Sequence, residues 1–130
     1  MAARGTGKRH VTLVDDDESL RRALARAIRL AGFEVDAFES AEALLSSGVP
    51  HERSCLVLDV DLPGIDGIEL KRALAKKRCD MPTIFITALG PSRIGEGLAT
   101  LAPVAVLYKP FDMRDLLDAI ERGCRVDRTD

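Results

Sequence analysis

The chain has 130 residues, of which 46% are hydrophobic and 31% are charged, a composition typical of a single folded domain and not of a disordered chain. Its 19 basic and 21 acidic side chains give a net charge of −2, so the domain lacks the positive surface with which proteins bind nucleic acid directly. No apolar run approaches the roughly 20 residues that cross a bilayer, so we expect no membrane contact.

The ends of the chain and its cysteines indicate a cytoplasmic domain. Residues 1–9 are small, polar and basic, which predicts a flexible N-terminal tail and not a signal peptide. Residues 10–122 carry the predicted elements and form the domain, while residues 123–130 are predicted to be a C-terminal tail or the start of a linker. The three widely spaced cysteines are predicted to be reduced thiols, at Cys55, Cys79 and Cys124.

The first half of the domain alternates apolar strands with amphipathic helices. Residues 11–14 form a short β-branched and apolar run that predicts a buried strand. Apolar residues recur at helical spacing over 20–31, with arginines on the other face. The alternation over 33–38 predicts an edge strand, and residues 41–46 predict a short helix.

The second half repeats this alternation, with predicted strands at 55–58, 83–86 and 104–108 and predicted helices over 68–77, 91–101 and 112–120. The fourth helix is predicted to be weak, because Gly95 and Gly97 each cost about 1 kcal/mol relative to alanine. Five strand–helix units with continuously apolar strands predict an α/β fold with a parallel sheet covered on both faces. The expected architecture is the flavodoxin-like, doubly wound (βα)5 fold with strand order 2-1-3-4-5.

Polar side chains follow four of the predicted strands where each strand ends. Asp15 and Asp16 follow the first strand, Asp59 the third, Thr87 the fourth and Lys109 the fifth. The carboxyl ends of parallel strands meet at one edge of a sheet, so we expect these side chains to converge. Clustered carboxylates repel one another and favour a bound cation, and oxygen-only ligands suit Mg²⁺.

This set of side chains matches what phosphoryl transfer to a carboxylate requires. Asp59, at the tip of the central strand, is the predicted nucleophile. Asp15 and Asp16 are the predicted Mg²⁺ ligands, and the ammonium of Lys109 would neutralise the phosphoryl oxygens. The hydroxyl of Thr87 would bind one of those oxygens.

Four segments of the chain resemble the receiver domain of bacterial two-component response regulators, and the resemblance is closest to receivers of nitrogen-fixation-type transcriptional regulators. The likeness covers about residues 9 to 122, and its motifs lie at 13–18, 56–67, 86–88 and 108–111. The resemblance implies a role in signal transduction and transcription regulation.

The resemblance also assigns partners and ligands. It implies that Asp59 accepts a phosphoryl group from a sensor histidine kinase or a phosphotransfer protein. It implies that Mg²⁺ is held by Asp15, Asp16, Asp59 and the backbone carbonyl of Asp61. A cis peptide bond between Lys109 and Pro110 is expected as well.

The chain departs from the family pattern beside the fifth strand. Receivers usually carry an aromatic switch residue three positions before the lysine, where this chain has Val106. Tyr108 has the same parity along the strand, so Thr87 and Tyr108 are the predicted switch residues. The alternative is that Tyr108 is a half-buried rim residue without a switching role. The segment 101–103 also lacks the glycine that the family tends to have, which leaves the shape of this turn open.

On phosphorylation, we expect the face made by the fourth helix, fifth strand and fifth helix to change its affinity for a partner or for a second copy in a homodimer. Self-phosphorylation and slow self-dephosphorylation would be the only chemistry of the domain itself. The domain is either a stand-alone receiver or part of a longer regulator.

Two other functions are compatible with parts of the sequence. Residues 59–62 resemble the nucleophile motif of haloacid-dehalogenase-type phosphatases, in which Asp61 would be a general acid on a Mg²⁺-dependent aspartyl-phosphate. That motif follows the first strand of its own fold, whereas here it follows the third. The second alternative is a receiver-like binding module that is never phosphorylated.

Overall fold

The computed structural model describes residues 9–48, 50, 54–77, 80–90, 97–98 and 100–128. Within these residues the elements are β1 (His10–Val14), α1 (Glu18–Leu30), β2 (Glu34–Phe38), α2 (Ala41–Ser46), β3 (Ser54–Asp59), α3 (Gly67–Lys76), β4 (Thr83–Thr87), β5 (Ala105–Tyr108) and α4 (Met113–Arg128). Most of the predicted fourth helix, together with Cys79 and residues 1–8, lies outside the described residues.

The five strands form one parallel sheet in the order β2-β1-β3-β4-β5, which confirms the predicted doubly wound α/β fold. β1, β3 and β4 are buried along their whole length. Their continuous apolar runs have this pattern because helices cover both faces of the sheet. The register aligns Val14 with Leu58 and Asp59 with Ile86, and Thr87 with Tyr108, so the strands end together at one edge.

Alternate side chains of each strand enter two separate cores. Helices α1 and α4 cover one face, where Ile28 and Ile120 pack with Val57. Helices α2 and α3 cover the other face, where Leu44 and Leu74 belong to the second cluster. Full burial of one such side chain stabilises the fold by about 1.5–3 kcal/mol. Because each core contains many such side chains, the two cores hold the strands in place and thereby fix the positions of the loops at the sheet edge.

Side chains that directly precede three of the helices cap the first turns of those helices. The side chains of Asp17 and Ser40 accept hydrogen bonds from backbone amides in the first turns of α1 and α2. Asp66 and Glu69 form a reciprocal capping box at the start of α3. Each such cap stabilises its helix by about 1 kcal/mol, and two of the capping residues lie in loops that also carry the acidic side chains at the sheet edge.

Contacts and helical structure extend past both predicted boundaries of the domain. Arg9, assigned to the tail, donates hydrogen bonds of 3.1 and 2.9 Å to the two carboxylate oxygens of Glu121 on α4. Helix α4 continues to Arg128, past the boundary predicted at residue 122. Gly123 lies inside this helix, and its small size lets α4 pack closely, since a Cβ there would lie 3.3 Å from Cys55 Sγ.

A polar cluster closes the opposite edge of the sheet. His10 Nδ1 lies 2.9 Å from Ser54 Oγ, and its Nε2 lies 3.0 Å from Asp36 Oδ2. Ser54 Oγ also lies 2.7 Å from Thr12 Oγ1. Burying polar groups is tolerated here because they bond to one another. His10 is therefore structural and lies at the edge away from the acids. None of the helices that the structure describes is long and apolar enough to cross a membrane.

Candidate functional site

The predicted site residues meet at the carboxyl edge of the sheet. Asp15 follows β1 directly, Asp59 and Thr87 are the last residues of β3 and β4, and Lys109 follows β5. Asp15, Asp59 and Thr87 are buried, whereas Asp16 is exposed. The shared register of the parallel strands brings these residues together although they are widely separated in the sequence.

Lys109 reaches across the edge to two buried carboxylates. Its Nζ donates a hydrogen bond of 3.1 Å to Asp59 Oδ2 and lies 3.3 Å from Asp15 Oδ2. Partial burial disfavours the ammonium, but the hydrogen bond to Asp59 and the nearby charge of Asp15 prevail, and the pKa of Lys109 is raised. The peptide bond between Lys109 and Pro110 is cis, as predicted. A positive charge is thus held beside both acids.

Burial and neighbouring groups act in opposite directions on the pKa of Asp59. Burial raises its pKa most strongly, and the charge of Asp15 adds to the rise. The hydrogen bond of 2.9 Å from the Asp61 amide to Asp59 Oδ1, and the one from Lys109, act in the opposite direction. Burial therefore disfavours the ionised carboxylate of Asp59, while the hydrogen bonds from the Asp61 amide and from Lys109 stabilise it.

The acids form a cluster that suits a divalent cation. Asp15, Asp16 and Asp59 each offer one carboxylate oxygen, and these oxygens lie within 4.8 Å of one another. Asp15 Oδ1 accepts a hydrogen bond from the Asp17 amide. Among the residues that the structure describes, the buried Oδ2 accepts no hydrogen bond and forms an ion pair with Lys109. A buried oxygen without a hydrogen bond and an oxygen-only donor set fit Mg²⁺.

The side chain of Asp61 makes contacts that the sequence reasoning missed. Thr87 Oγ1 donates a hydrogen bond of 3.3 Å to Asp61 Oδ2, and the Ala88 amide donates one of 3.2 Å to the same oxygen. The Leu89 amide donates to Thr87 Oγ1 at 2.9 Å. From the sequence, Asp61 is expected to offer its backbone carbonyl in the receiver and its proton in the phosphatase alternative. Asp61 comes two residues after Asp59, the acid that ends β3, and this spacing was the signal in the sequence that it lies near Thr87.

Glu42 at the start of α2 is a second residue that the sequence reasoning missed. Its Oε2 accepts a hydrogen bond of 3.0 Å from the Ile65 amide, and this bond lowers the pKa of Glu42. The carboxylate lies against Gly64, whose φ of +76° is a conformation that favours glycine. Glu42 thereby holds the loop between β3 and α3, which also carries Asp61.

The residues around the predicted switch lie at the edge of the sheet. Tyr108 pairs with Thr87 in register, and 38% of its surface is exposed. Val106 is partly buried against the cluster that includes Leu98, one of the two helical residues described from the predicted fourth helix. Tyr108 therefore lies beside the hydroxyl of the site, and its switching role stays a prediction.

Comparison with known proteins agrees with this geometry. Residues 11–121 match the family model described as the response regulator receiver domain. The chain therefore belongs to the receiver domains of response regulators, the class that the fold and the acidic edge define. This assignment, with Asp59 at the end of the third strand, argues against the haloacid-dehalogenase alternative.

The relatives include a nodulation protein and several transcriptional regulatory proteins. Nodulation protein W of Bradyrhizobium diazoefficiens is 42% identical over 118 residues, which are 91% of this chain and 52% of that protein. The transcriptional regulatory protein FixJ of Azorhizobium caulinodans is 36% identical over 110 residues, 85% of this chain and 52% of that protein. The chain thus spans about half the length of these relatives.

Solved structures show the same fold. The response regulator StyR superimposes with a TM-score of 0.84 at 40% identity, covering 93% of this chain and 61% of that one. The FixJ-N structure gives a TM-score of 0.79 at 32% identity, covering 91% and 94%.

Proposed function

We propose that Asp59 accepts a phosphoryl group from the phosphohistidine of a sensor histidine kinase or of a phosphotransfer protein. The observation that carries this proposal is the position of the Lys109 ammonium between the buried carboxylates of Asp59 and Asp15. An Asp59 oxygen attacks phosphorus in line, and the bond from phosphorus to the donor imidazole nitrogen breaks. The electron pair stays on that nitrogen, which takes up a proton from water.

The remaining residues of the site bind charge. Asp15, Asp16, Asp59 and the backbone carbonyl of Asp61 are proposed to hold Mg²⁺, which when bound neutralises negative charge on the phosphoryl oxygens. Lys109 supplies a second positive charge from the β5 side, and Thr87 donates its hydroxyl to a phosphoryl oxygen. The phosphorylated Asp59 slowly returns to the free carboxylate when water attacks phosphorus and inorganic phosphate leaves.

The proposed output is a change in partner affinity in the cytoplasm. Movement of Thr87 toward the phosphoryl group would alter the neighbouring end of β5, where Tyr108 is partly exposed. The face expected to comprise the predicted fourth helix, β5 and α4 would then change its affinity for a second copy or a partner. Relatives are named transcriptional regulatory proteins, so the proposed outcome is control of transcription by a longer protein.

Intact mass spectrometry tests the proposal. The protein is incubated with acetyl phosphate and Mg²⁺, and we expect the mass of one phosphoryl group to be added to the wild type and none to Asp59→Asn. No uptake by the wild type would favour a binding module that is never phosphorylated. Equal uptake by the variant would place the acceptor elsewhere, and rapid turnover of a small phosphomonoester would favour a phosphatase.

A further inference from the structure

The Asp61 side chain connects the proposed phosphoryl acceptor with the proposed switch hydroxyl. Its backbone amide donates to Asp59 Oδ1 at 2.9 Å, while its carboxylate Oδ2 accepts from Thr87 Oγ1 at 3.3 Å and from the Ala88 amide at 3.2 Å. The residue therefore bridges the ends of β3 and β4 through two independent sets of atoms. A substitution that changes only the carboxylate leaves the backbone link to Asp59 in place.

The two donors at the end of β4 form a binding position for one anionic oxygen. The Thr87 hydroxyl and the Ala88 amide each have one hydrogen, and both point at the same carboxylate oxygen. Converging donors of this kind stabilise a negative oxygen. Asp59 lies beside β4, since the Val60 amide donates to the carbonyl of Ile86 at 2.9 Å. A phosphoryl group on Asp59 would therefore lie next to the Thr87 and Ala88 donors, which already bind the Asp61 carboxylate.

We propose that the Asp61 carboxylate competes with the phosphoryl group for Thr87 and Ala88. In the unphosphorylated protein it holds both donors and keeps Thr87 in the resting position. It must leave before either donor can bind a phosphoryl oxygen, and its negative charge opposes the incoming anion. This inference rests on the proposed function, because it assumes that Thr87 binds the phosphoryl group on Asp59. Asp61 is thus a positioning residue that sets how readily the domain takes the phosphorylated conformation.

Binding of trifluoroberyllate, a noncovalent phosphoryl analogue, tests the competition at equilibrium. The wild type, Asp61→Asn and Asp61→Ala are titrated at saturating Mg²⁺, with the Ala88 amide resonance as the reporter. Asparagine keeps an acceptor but loses the charge, and alanine loses both. We expect affinity to rise in the order wild type, Asp61→Asn, Asp61→Ala, by about threefold to tenfold in total, the range of one or two hydrogen bonds.

A matched control separates this contact from the general effect of charge. Glu39 is exposed and follows β2 at the same edge of the sheet, so Glu39→Gln removes one negative charge without touching the donor pair. We expect its affinity for trifluoroberyllate to change by less than about twofold. An equal gain in Glu39→Gln and Asp61→Asn would overturn the proposal in favour of a long-range charge effect.

A second readout needs neither Mg²⁺ nor the analogue. Amide hydrogen exchange of Ala88 should be faster in Asp61→Ala than in the wild type and unchanged in Glu39→Gln, because the Asp61 carboxylate protects this exposed amide. Unchanged exchange, or unchanged or weaker analogue binding in both Asp61 variants, would overturn the competition. If the wild type binds the analogue and gains one phosphoryl group on Asp59, the proposed function then stands alone. If the wild type does neither, both proposals fail.

Discussion

Lys109 Nζ and Asp59 Oδ2 are 3.1 Å apart although the two residues are 50 positions apart in the chain. The contact crosses the end of β4, which lies between β3 and β5 in the sheet. The Lys109 ammonium neutralises the Asp59 carboxylate, whose ionised form is disfavoured by burial. The same ammonium lies 3.3 Å from Asp15 Oδ2. The Lys109 ammonium therefore lies between two buried acids, so we expect the stability of the site to depend on pH and on substitution of these residues.

Asp59→Asn should stabilise the protein at neutral pH in the absence of Mg²⁺. Burial raises the folded-state pKa of Asp59 above the value of about 3.9 usual for an unfolded chain. The stability that this raised pKa contributes is complete below the unfolded value and is lost as pH rises through the folded value. The advantage of the variant should therefore grow from about pH 4 upward and then become constant.

Urea unfolding at a series of pH values, followed by circular dichroism, measures this difference. Glu39→Gln is the control, since this exposed side chain should show no comparable trend. An advantage of Asp59→Asn that shrinks as pH rises from 4 to 7 would contradict the assigned role of burial.

Lys109→Met should destabilise the protein by about 1–3 kcal/mol without Mg²⁺, because it leaves two buried carboxylates without their cation. Added Mg²⁺ should recover much of the loss, since a cation bound only by the folded state stabilises it. Urea unfolding with EDTA and with Mg²⁺ measures both effects. Lys76→Met, at an exposed position at the end of α3, is the matched control. Equal losses at the two lysines, with no response to Mg²⁺, would refute this account.

Gly67→Ala should destabilise the fold by about 1–3 kcal/mol through overpacking. An alanine Cβ at this position would overlap the carbonyl oxygen of Asp59 and lie 3.0 Å from its carbonyl carbon. Helix propensity alone would favour alanine by up to about 1 kcal/mol, so a loss identifies the contact as the cause. Gly90→Ala is the control, because a Cβ there meets nothing within 4 Å.

Thermal and urea unfolding measure both glycine variants, and mass spectrometry of phosphoryl uptake reports any displacement of Asp59. We expect Gly90→Ala to change stability by less than about 0.5 kcal/mol. Similar small effects at the two glycines would show that the start of α3 can move away from Asp59 at little cost.

Glu42→Ala should loosen the loop between β3 and α3. The carboxylate accepts the Ile65 amide at 3.0 Å, so its removal should speed exchange of that amide by about fivefold to tenfold. Glu42→Gln keeps an acceptor oxygen and should restore most of the protection. Hydrogen exchange measured by NMR resolves Ile65 from its neighbours. Equal exchange in all three proteins would mean that the loop does not depend on Glu42.

The fold could be predicted because its main determinants are local. The continuous apolar runs of β1, β3 and β4 identify strands buried on both faces, and the alternation with amphipathic helices leaves few topologies. Asp66 signals its own capping box with Glu69 three residues later. Asp59 and Lys109 were predicted to meet because the ends of parallel strands share one edge of the sheet.

The contacts that distinguish this site depend on packing between distant segments. The Asp61 carboxylate reaches Thr87, 26 positions away, and Glu42 reaches Ile65, 23 positions away. Nothing in the local sequence specifies the direction of either side chain. Gly123 lies within α4, where its lack of a side chain allows the helix to approach Cys55. Periodicity and strand-end chemistry therefore identify the elements and the reactive groups. Only the packed sheet decides which donor each carboxylate oxygen meets, because those distances are set by the two cores.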